Sequence, residues 1–187
     1  MSRVTPQMGL IVIITALYPL AIYFGLGYFQ PAILALILLA VMLIRFVFLV
    51  ENRTFTQAVP LILVGGLCLL VAWFQSEQLL RYYPVLMNLC VAGFFWFSLR
   101  GEVTLIERFA GAFNKDLTPQ ALLYMRGLTK AWALLLTVNA GVSLYTACCV
   151  SFKSWAIYNG IIAYIVFAVF TAFELCYRHY YKKRHQN

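Results

Sequence analysis

Long apolar runs separated by short polar breaks dominate the pattern of this chain. Most runs come close to the ~20 residues that an α-helix needs to cross a bilayer. The pattern therefore predicts an all-α fold, a polytopic transmembrane helical bundle that forms one integral membrane domain over residues 1–187. We expect six spans, or five if the first run does not cross. They are expected at about residues 8–29, 31–50, 58–74, 84–99, 131–150 and 155–177.

The first run is interpreted as a retained span, because it is longer than the roughly 7–15 apolar residues of a signal peptide. Residues 100–130 form the long polar interruption and predict a cytoplasmic helical segment between spans four and five. Apolar residues recur three and four positions apart from Ile106 to Phe113, which is typical of an amphipathic helix on a membrane surface. Thr118-Pro119 predicts the start of a second short helix.

Composition excludes two broad classes of protein. Hydrophobic residues make up 64% of the chain, charged residues 11%, and the mean hydropathy is +0.86. A soluble globular enzyme needs far more polar surface, since such domains are about 25% charged. Disorder needs low hydrophobicity. The lipid bilayer is therefore the expected environment and partner.

Charge predicts the orientation. The net charge is +8, with 14 Lys and Arg residues, and these lie mostly in the breaks and in the basic tail 178–187. Six spans place only Arg81 and Lys153 on one side, whereas five spans move Arg3 to join them. Because basic loops stay inside, we expect a multi-pass protein of a bacterial inner membrane with a cytoplasmic C-terminus and no nucleic acid partner. In the six-span arrangement the other twelve Lys and Arg residues lie on the cytoplasmic side. They are Arg3, Arg45, Arg53, Arg100, Arg108, Lys115, Arg126, Lys130, Arg178, Lys182, Lys183 and Arg184.

The chain carries no recognisable catalytic or metal-binding motif. It has no GxSxG, HExxH or phosphate-binding loop, and neither histidine has an acid four residues on. The five cysteines lie in apolar runs without a CxxC pair, and we interpret them as small buried apolar side chains. No catalytic residue, cofactor or metal site is predicted, and enzymatic activity stays uncertain but disfavoured.

Two ionisable residues within the predicted spans are candidate functional residues. Glu174 lies near the cytoplasmic end of span six, where an ion pair with Arg178 four residues on explains it. A substrate or proton role is the alternative, because ionisable groups in a bilayer are costly and often functional. Arg45 is expected to extend toward the headgroups, with a pair to Glu174 as the alternative.

Polar residues supply the remaining candidates. Asn88, Asn139 and Asn159 lie in spans four, five and six, where their amides need partners. Hydrogen bonds between helices are the expected use, and a polar ligand groove is the alternative. Glu107 and Arg108 begin the cytoplasmic segment, where they bind a headgroup or a partner, or form a solvated face.

A series of residues in the second half resembles a known family. The residues are Thr104-Leu-Ile-Glu-Arg108, Leu117-Thr-Pro119, Arg126-x-x-Thr-Lys-Ala-Trp132, Asn139 and Trp155-Ala-x-Tyr-Asn-Gly160. The series, over residues 99–178, resembles uncharacterised bacterial inner-membrane proteins encoded beside acyl carrier proteins, ligases and ketosynthases of aryl polyene and related lipid pathways. It is also similar to the intracellular septation protein A family, but the Trp-x-x-Tyr-Asn-Gly segment departs from that family's pattern.

The first resemblance implies a non-enzymatic inner-membrane component that supports aryl polyene or related fatty-acyl lipid biosynthesis. Acyl carrier proteins, which are acidic, are then expected to dock on the basic cytoplasmic face formed by Arg100, Arg108, Lys115 and Arg126. The second resemblance implies an envelope-integrity or septation protein that acts through other membrane proteins. A lipid or acyl transporter, or a membrane enzyme, that uses Glu174, Glu107 or Arg45 is the third hypothesis.

Overall fold

The fold is given by a computed structural model, which describes residues 24, 29–49, 55–111 and 118–185. Over these ranges the secondary structure is helical and contains no strand. The helices are α1 (Pro31–Leu49), α2 (Phe55–Phe74), α3 (Glu77–Leu80), α4 (Tyr83–Ser98), α5 (Leu105–Gly111), α6 (Pro119–Cys149), α7 (Phe152–Ile157), a π-helical turn (Tyr158–Ile162) and α8 (Ala163–His185).

Three stretches are long and apolar enough to cross a membrane: Glu77–Ser98, Pro119–Cys149 and Phe152–His179. Two shorter apolar segments, Pro31–Ile44 and Ala58–Phe74, lie in α1 and α2. The predicted all-α fold and membrane character are therefore confirmed. The count of six spans stays a prediction, and nearly all of the first expected span lies outside the described residues.

The helix that carries the fifth predicted span begins before that span. We expected a short helix from Thr118 and a separate span from residue 131, but α6 is one continuous helix of 31 residues. It starts where predicted, because the Thr118 hydroxyl accepts a hydrogen bond from the Ala121 amide at 3.3 Å. No proline follows Pro119 within α6, so nothing in the backbone stops the helix.

Helices α4 and α6 pack antiparallel along their length. The Phe95 and Trp132 rings lie 6.5 Å apart toward one end, and the Tyr82 hydroxyl lies 3.5 Å from the Cys148 sulfur at the other. Small residues on α6 permit this close approach, as at many helix contacts in membranes. The buried small residues of α6 are Ala133, Ala140, Ser143 and Ala147.

Helix α8 runs antiparallel to α6 and contacts it through aromatic side chains. Trp132 meets Phe170 edge to face with ring centroids 4.9 Å apart, and Tyr124 stacks on Tyr177 at 6.0 Å. Helices α1 and α2 form a hairpin in which the buried Cys68 thiol donates to the Ala35 carbonyl at 3.2 Å. The buried residues of this hairpin pack in one hydrophobic core with buried residues of α3, α4, α6 and α7.

The cysteines divide into two groups, and the expectation that all five are buried is wrong. Cys68 and Cys90 are buried, whereas the other three are exposed, on faces that also expose large apolar side chains. In a bilayer such faces contact lipid, which accepts a thiol as readily as a packed interior does. Among the described residues, no group of His, Cys, Asp and Glu has the placement of a metal site. The exposed cysteines are Cys148, Cys149 and Cys176.

Candidate functional site

The three intramembrane asparagines meet at one cleft. Asn88 of α4, Asn139 of α6 and Asn159 of the π-helical turn all line a cavity of about 130 Å³. The walls come from α4 and from the π-turn with the start of α8, while Asn139 is the contribution of α6. The expected hydrogen bonds between helices are present, and the same side chains line a cleft, where ligand binding stays a prediction.

A directed chain of hydrogen bonds connects the three elements. The Tyr158 hydroxyl donates to Asn139 Oδ1 at 2.8 Å, and Asn139 Nδ2 donates to Asn88 Oδ1 at 3.0 Å. Asn88 Nδ2 ends the chain on the Pro84 carbonyl at 2.7 Å. Because a carbonyl can only accept, the last bond fixes which way each amide in the chain is turned.

Asn159 stands beside this chain with a different set of bonds. Its Nδ2 donates to the Thr146 hydroxyl at 3.1 Å and to the Trp155 carbonyl at 3.0 Å. The Trp155 carbonyl again fixes the amide orientation. Asn159 Oδ1 is buried and has no hydrogen-bond partner among the described residues, although the residue is only 4% exposed. A buried acceptor without a donor is costly in a protein.

The π-helical turn brings two consecutive side chains to α6. Tyr158 reaches Asn139 and its neighbour Asn159 reaches Thr146, which lies about two turns further along α6. Widened turns of this kind occur mostly inside α-helices and frequently at functional sites. Tyr158 and Thr146 were not among the predicted candidates. Tyr158 was part of the Trp-x-x-Tyr-Asn-Gly segment, which was the only signal available.

The lining of the cleft combines asparagine amides with apolar side chains and, among the described residues, carries no charge. None of the described residues that line it carries a charge, so the arrangement can form hydrogen bonds but offers no carboxylate, imidazole or cation. Its volume is below the ~300 Å³ of typical small-molecule sites and close to the ~150 Å³ of a cavity that holds benzene. The remaining lining residues are Tyr83, Pro84, Met87, Val91, Ala163, Tyr164 and Phe167.

Glu174 has a different partner from the expected one. Its carboxylate accepts a hydrogen bond from the Tyr124 hydroxyl of α6 at 3.0 Å. In the described part of the chain no ion pair joins it to Arg178. The Glu174 side chain is half-buried. Its hydrogen bond therefore comes from Tyr124 on the neighbouring helix α6 and not from Arg178 on its own helix. The Arg45 side chain lies outside the described residues.

Glu107 forms a helix cap. Its Oε2 accepts a hydrogen bond from the Thr104 amide at 2.7 Å, and the Thr104 hydroxyl accepts one from the Glu107 amide at 3.5 Å. These reciprocal bonds form a capping box at the start of α5. Glu107 is buried and the Thr104 and Thr129 hydroxyls lie 3.2 Å apart, which ties α5 to α6. Arg108 is exposed, as a docking residue would be.

The four predicted docking residues do not share one environment. Arg100 and Arg108 are exposed, but Arg126 is half-buried and donates to the Leu99 carbonyl at 2.8 Å. Arg126 therefore satisfies a carbonyl at the end of α4. Lys115 lies outside the described residues.

Arg81, at the opposite end of the bundle, is bound by other groups of the protein through both its guanidinium and its backbone carbonyl. Its Nη1 lies 3.5 Å from the carbonyls of Ala147 and Val150, and its guanidinium carbon lies 4.8 Å from the centre of the Phe152 ring. The Trp155 indole donates to the Arg81 carbonyl at 3.2 Å. A cation at the C-terminus of α6 is also favoured by the helix dipole.

Comparisons with protein-family models, with curated proteins and with solved structures give no match for this chain.

Proposed function

We propose that this chain is a multi-pass protein of a bacterial inner membrane, with six spans and its C-terminus in the cytoplasm. We propose further that it is a non-enzymatic component of aryl polyene or related fatty-acyl lipid assembly, which docks acyl carrier proteins on its basic end. The observation that supports this best is the unequal exposure of cations at the two ends of the bundle.

The helix pairing explains that inequality. The bond from Arg126 to Leu99 brings the end of α4 and the start of α6 together, so Arg100 and Lys130 lie at that end. The bond from Tyr124 to Glu174 adds the end of α8 with Arg178. Arg100, Arg108, Lys130 and Arg178 are all exposed.

The opposite end offers much less free charge. Arg81 is held by carbonyls and an aromatic ring, and Lys153 is the exposed cation there among the described residues. Positive residues favour the cytoplasmic side, so the end with Arg100 and Arg108 is assigned to the cytoplasm. An exposed basic surface also steers an acidic partner toward it.

A salt-dependent binding measurement tests the docking. The full chain in nanodiscs is titrated with a purified bacterial acyl carrier protein, at low and at high ionic strength. Replacing Arg100, Arg108 and Lys115 together by Ala weakens binding about tenfold, because each charge of the predicted docking face contributes roughly 0.5 kcal/mol. Arg126 is kept, since it caps α4.

Lys153→Ala is the matched control, because it removes an exposed cation from the other end of the bundle. Binding unchanged in this control and weakened in the triple variant supports the proposal. Equal binding by all three proteins, or binding insensitive to salt, contradicts it.

A gene deletion separates the proposal from the septation hypothesis. Loss of the fatty-acyl product with normal cell shape and normal osmotic tolerance is the expected result. Abnormal division with the product still made would instead support an envelope-integrity protein.

A further inference from the structure

We propose that the cleft between α4 and α8 binds the polar end of an uncharged membrane amphiphile that donates a hydrogen bond, a hydroxyl or an amide N–H, with Asn159 Oδ1 as its acceptor. Binding there requires the membrane embedding proposed above, but it does not require the docking of acyl carrier proteins. The lipid tail then stays in the bilayer beside the bundle.

The unsatisfied acceptor determines the chemistry of the ligand. Both Nδ2 donations of Asn159 are made, to Thr146 and Trp155, so the amide cannot turn to pair its oxygen within the protein. Oδ1 is left buried without a donor among the described residues. A hydroxyl or an amide N–H supplies that donor when it displaces the side-chain atoms that cover Oδ1, whereas an ester or a hydrocarbon does not.

The lack of charged side chains around the cleft disfavours ionic headgroups. No described residue of the lining is charged, and a charged group without a partner is costly within a membrane. Phosphate, carboxylate and ammonium groups are therefore disfavoured, and an uncharged group is favoured.

The size of the cleft limits what enters it. About 130 Å³ is close to the ~150 Å³ that accommodates a benzene ring and much smaller than a site for a whole small molecule. Only the end of a larger molecule fits. Met87, Val91 and Phe167 give the remaining surface an apolar character that suits the first methylenes of a lipid chain.

The position of the cleft supports entry from the bilayer. Asn88 lies five residues after Tyr83, about 7 Å along α4 from the end of the bundle that carries Arg81. The walls come from two apolar helices that flank α6, and neither α1 nor α2 contributes a described residue to the lining. In the proposed orientation the cleft therefore faces the outer leaflet.

Competition for photolabelling tests the assignment. The full chain in phosphatidylcholine nanodiscs is labelled with a diazirine-bearing fatty alcohol, in the presence of unlabelled fatty alcohol, primary fatty amide or fatty methyl ester of equal length. The alcohol and the amide compete about tenfold better than the ester, a factor equivalent to ~1.4 kcal/mol, because only they satisfy the buried acceptor. The label is expected on peptides that contain residues 83–91 or 159–167.

Two variants locate the binding. Val91→Phe fills the cleft from α4 and Ala163→Leu fills it from α8, and either one lowers labelling about tenfold. Leu89→Phe is the matched control, because Leu89 lies on the same helix and is 49% exposed, so it leaves labelling unchanged. The second filling variant keeps the test valid if the first does not fold.

Equal competition by alcohol and ester overturns the proposal, and so does labelling that neither filling variant lowers. Either result means that Asn159 Oδ1 accepts no hydrogen bond from a membrane amphiphile in this cleft. Docking of acyl carrier protein is measured on the same nanodiscs, so failure of the cleft and failure of the basic face are distinguished.

Discussion

The arginine side chains at the two ends of the helix bundle differ in how far the protein itself binds them. At one end the Arg81 guanidinium lies against two carbonyls and the Phe152 ring, and the Trp155 indole donates to the Arg81 backbone carbonyl. At the other end Arg100 and Arg108 are exposed, while Arg126 is partly committed to the Leu99 carbonyl. The comparison teaches that a charge count alone does not define a binding surface, because a cation already bound by the protein cannot also bind a partner.

Trp155→Ala is expected to have the largest effect on stability. Trp155 is 0% exposed, stacks on Phe152 with ring centroids 5.3 Å apart and holds the Arg81 carbonyl. Its loss should lower the free energy of unfolding by about 3–5 kcal/mol, as for other large-to-small core changes. An SDS titration of the purified chain measures this. The control Trp73→Ala removes a side chain that is 83% exposed, and an equal loss there would refute the account of Trp155.

Arg81→Met should destabilise the chain by roughly 2 kcal/mol. The change removes the cation from the C-terminus of α6 and from the face of Phe152, while it keeps most of the side-chain volume. The same titration compares it with Lys153→Met, which removes an exposed cation from the same end. If both variants unfold alike, Arg81 is no more structural than Lys153 and the contrast between the ends disappears.

Arg126→Met sharpens the comparison at the opposite end. It should cost about 1 kcal/mol of stability, because the Leu99 carbonyl loses its charged donor. Carrier-protein binding should weaken less than in Arg108→Met, since Arg126 is half-buried and Arg108 is exposed. Stronger loss of binding with Arg126→Met than with Arg108→Met would show that Arg126 is the docking residue.

Glu107→Gln is expected to have the smallest effect, about 0.5 kcal/mol. Glutamine also completes a capping box, so the bond from the Thr104 amide is kept and only the charge is lost. Glu107→Ala should cost more, because the amide then loses its acceptor. A Gln variant that folds normally but abolishes fatty-acyl product formation would contradict a purely structural Glu107.

Much of the fold was accessible from the sequence, because hydropathy reports which segments meet lipid. Thr118 was correctly predicted as a helix cap, and the membrane-spanning lengths of the later runs are confirmed. The helix from Thr118 and the fifth span were predicted as separate helices, because Arg126 and Lys130 interrupt the apolar pattern, but they form the single helix α6. Hydropathy records contact with lipid, whereas helix continuity depends on the backbone, and here one polar side chain is satisfied by a carbonyl of a neighbouring helix.

Only part of the candidate site could be predicted from the sequence. Intramembrane amides need partners, so Asn139 and Asn159 were correctly singled out as residues that form bonds between helices. Their partners on other helices lie 13 to 51 residues away in sequence, and no local pattern encodes the register that brings them together. The widened turn at Tyr158 was not predicted either, because it contains no proline and the Gly160 within it does not specify a π-helical geometry. The capping box at Thr104 and Glu107 was readable from its spacing and was overlooked.

A paired topology measurement tests the contrast between the two ends most directly. Fluorescent-protein and alkaline-phosphatase reporters are fused after Asn187 and, in separate proteins, inserted beside Lys153. We expect fluorescence without phosphatase activity at Asn187, and phosphatase activity without fluorescence at Lys153, because the exposed basic end faces the cytoplasm. Phosphatase activity at Asn187 with fluorescence at Lys153 would invert the protein in the membrane and remove the proposed docking surface from the side where acyl carrier proteins act.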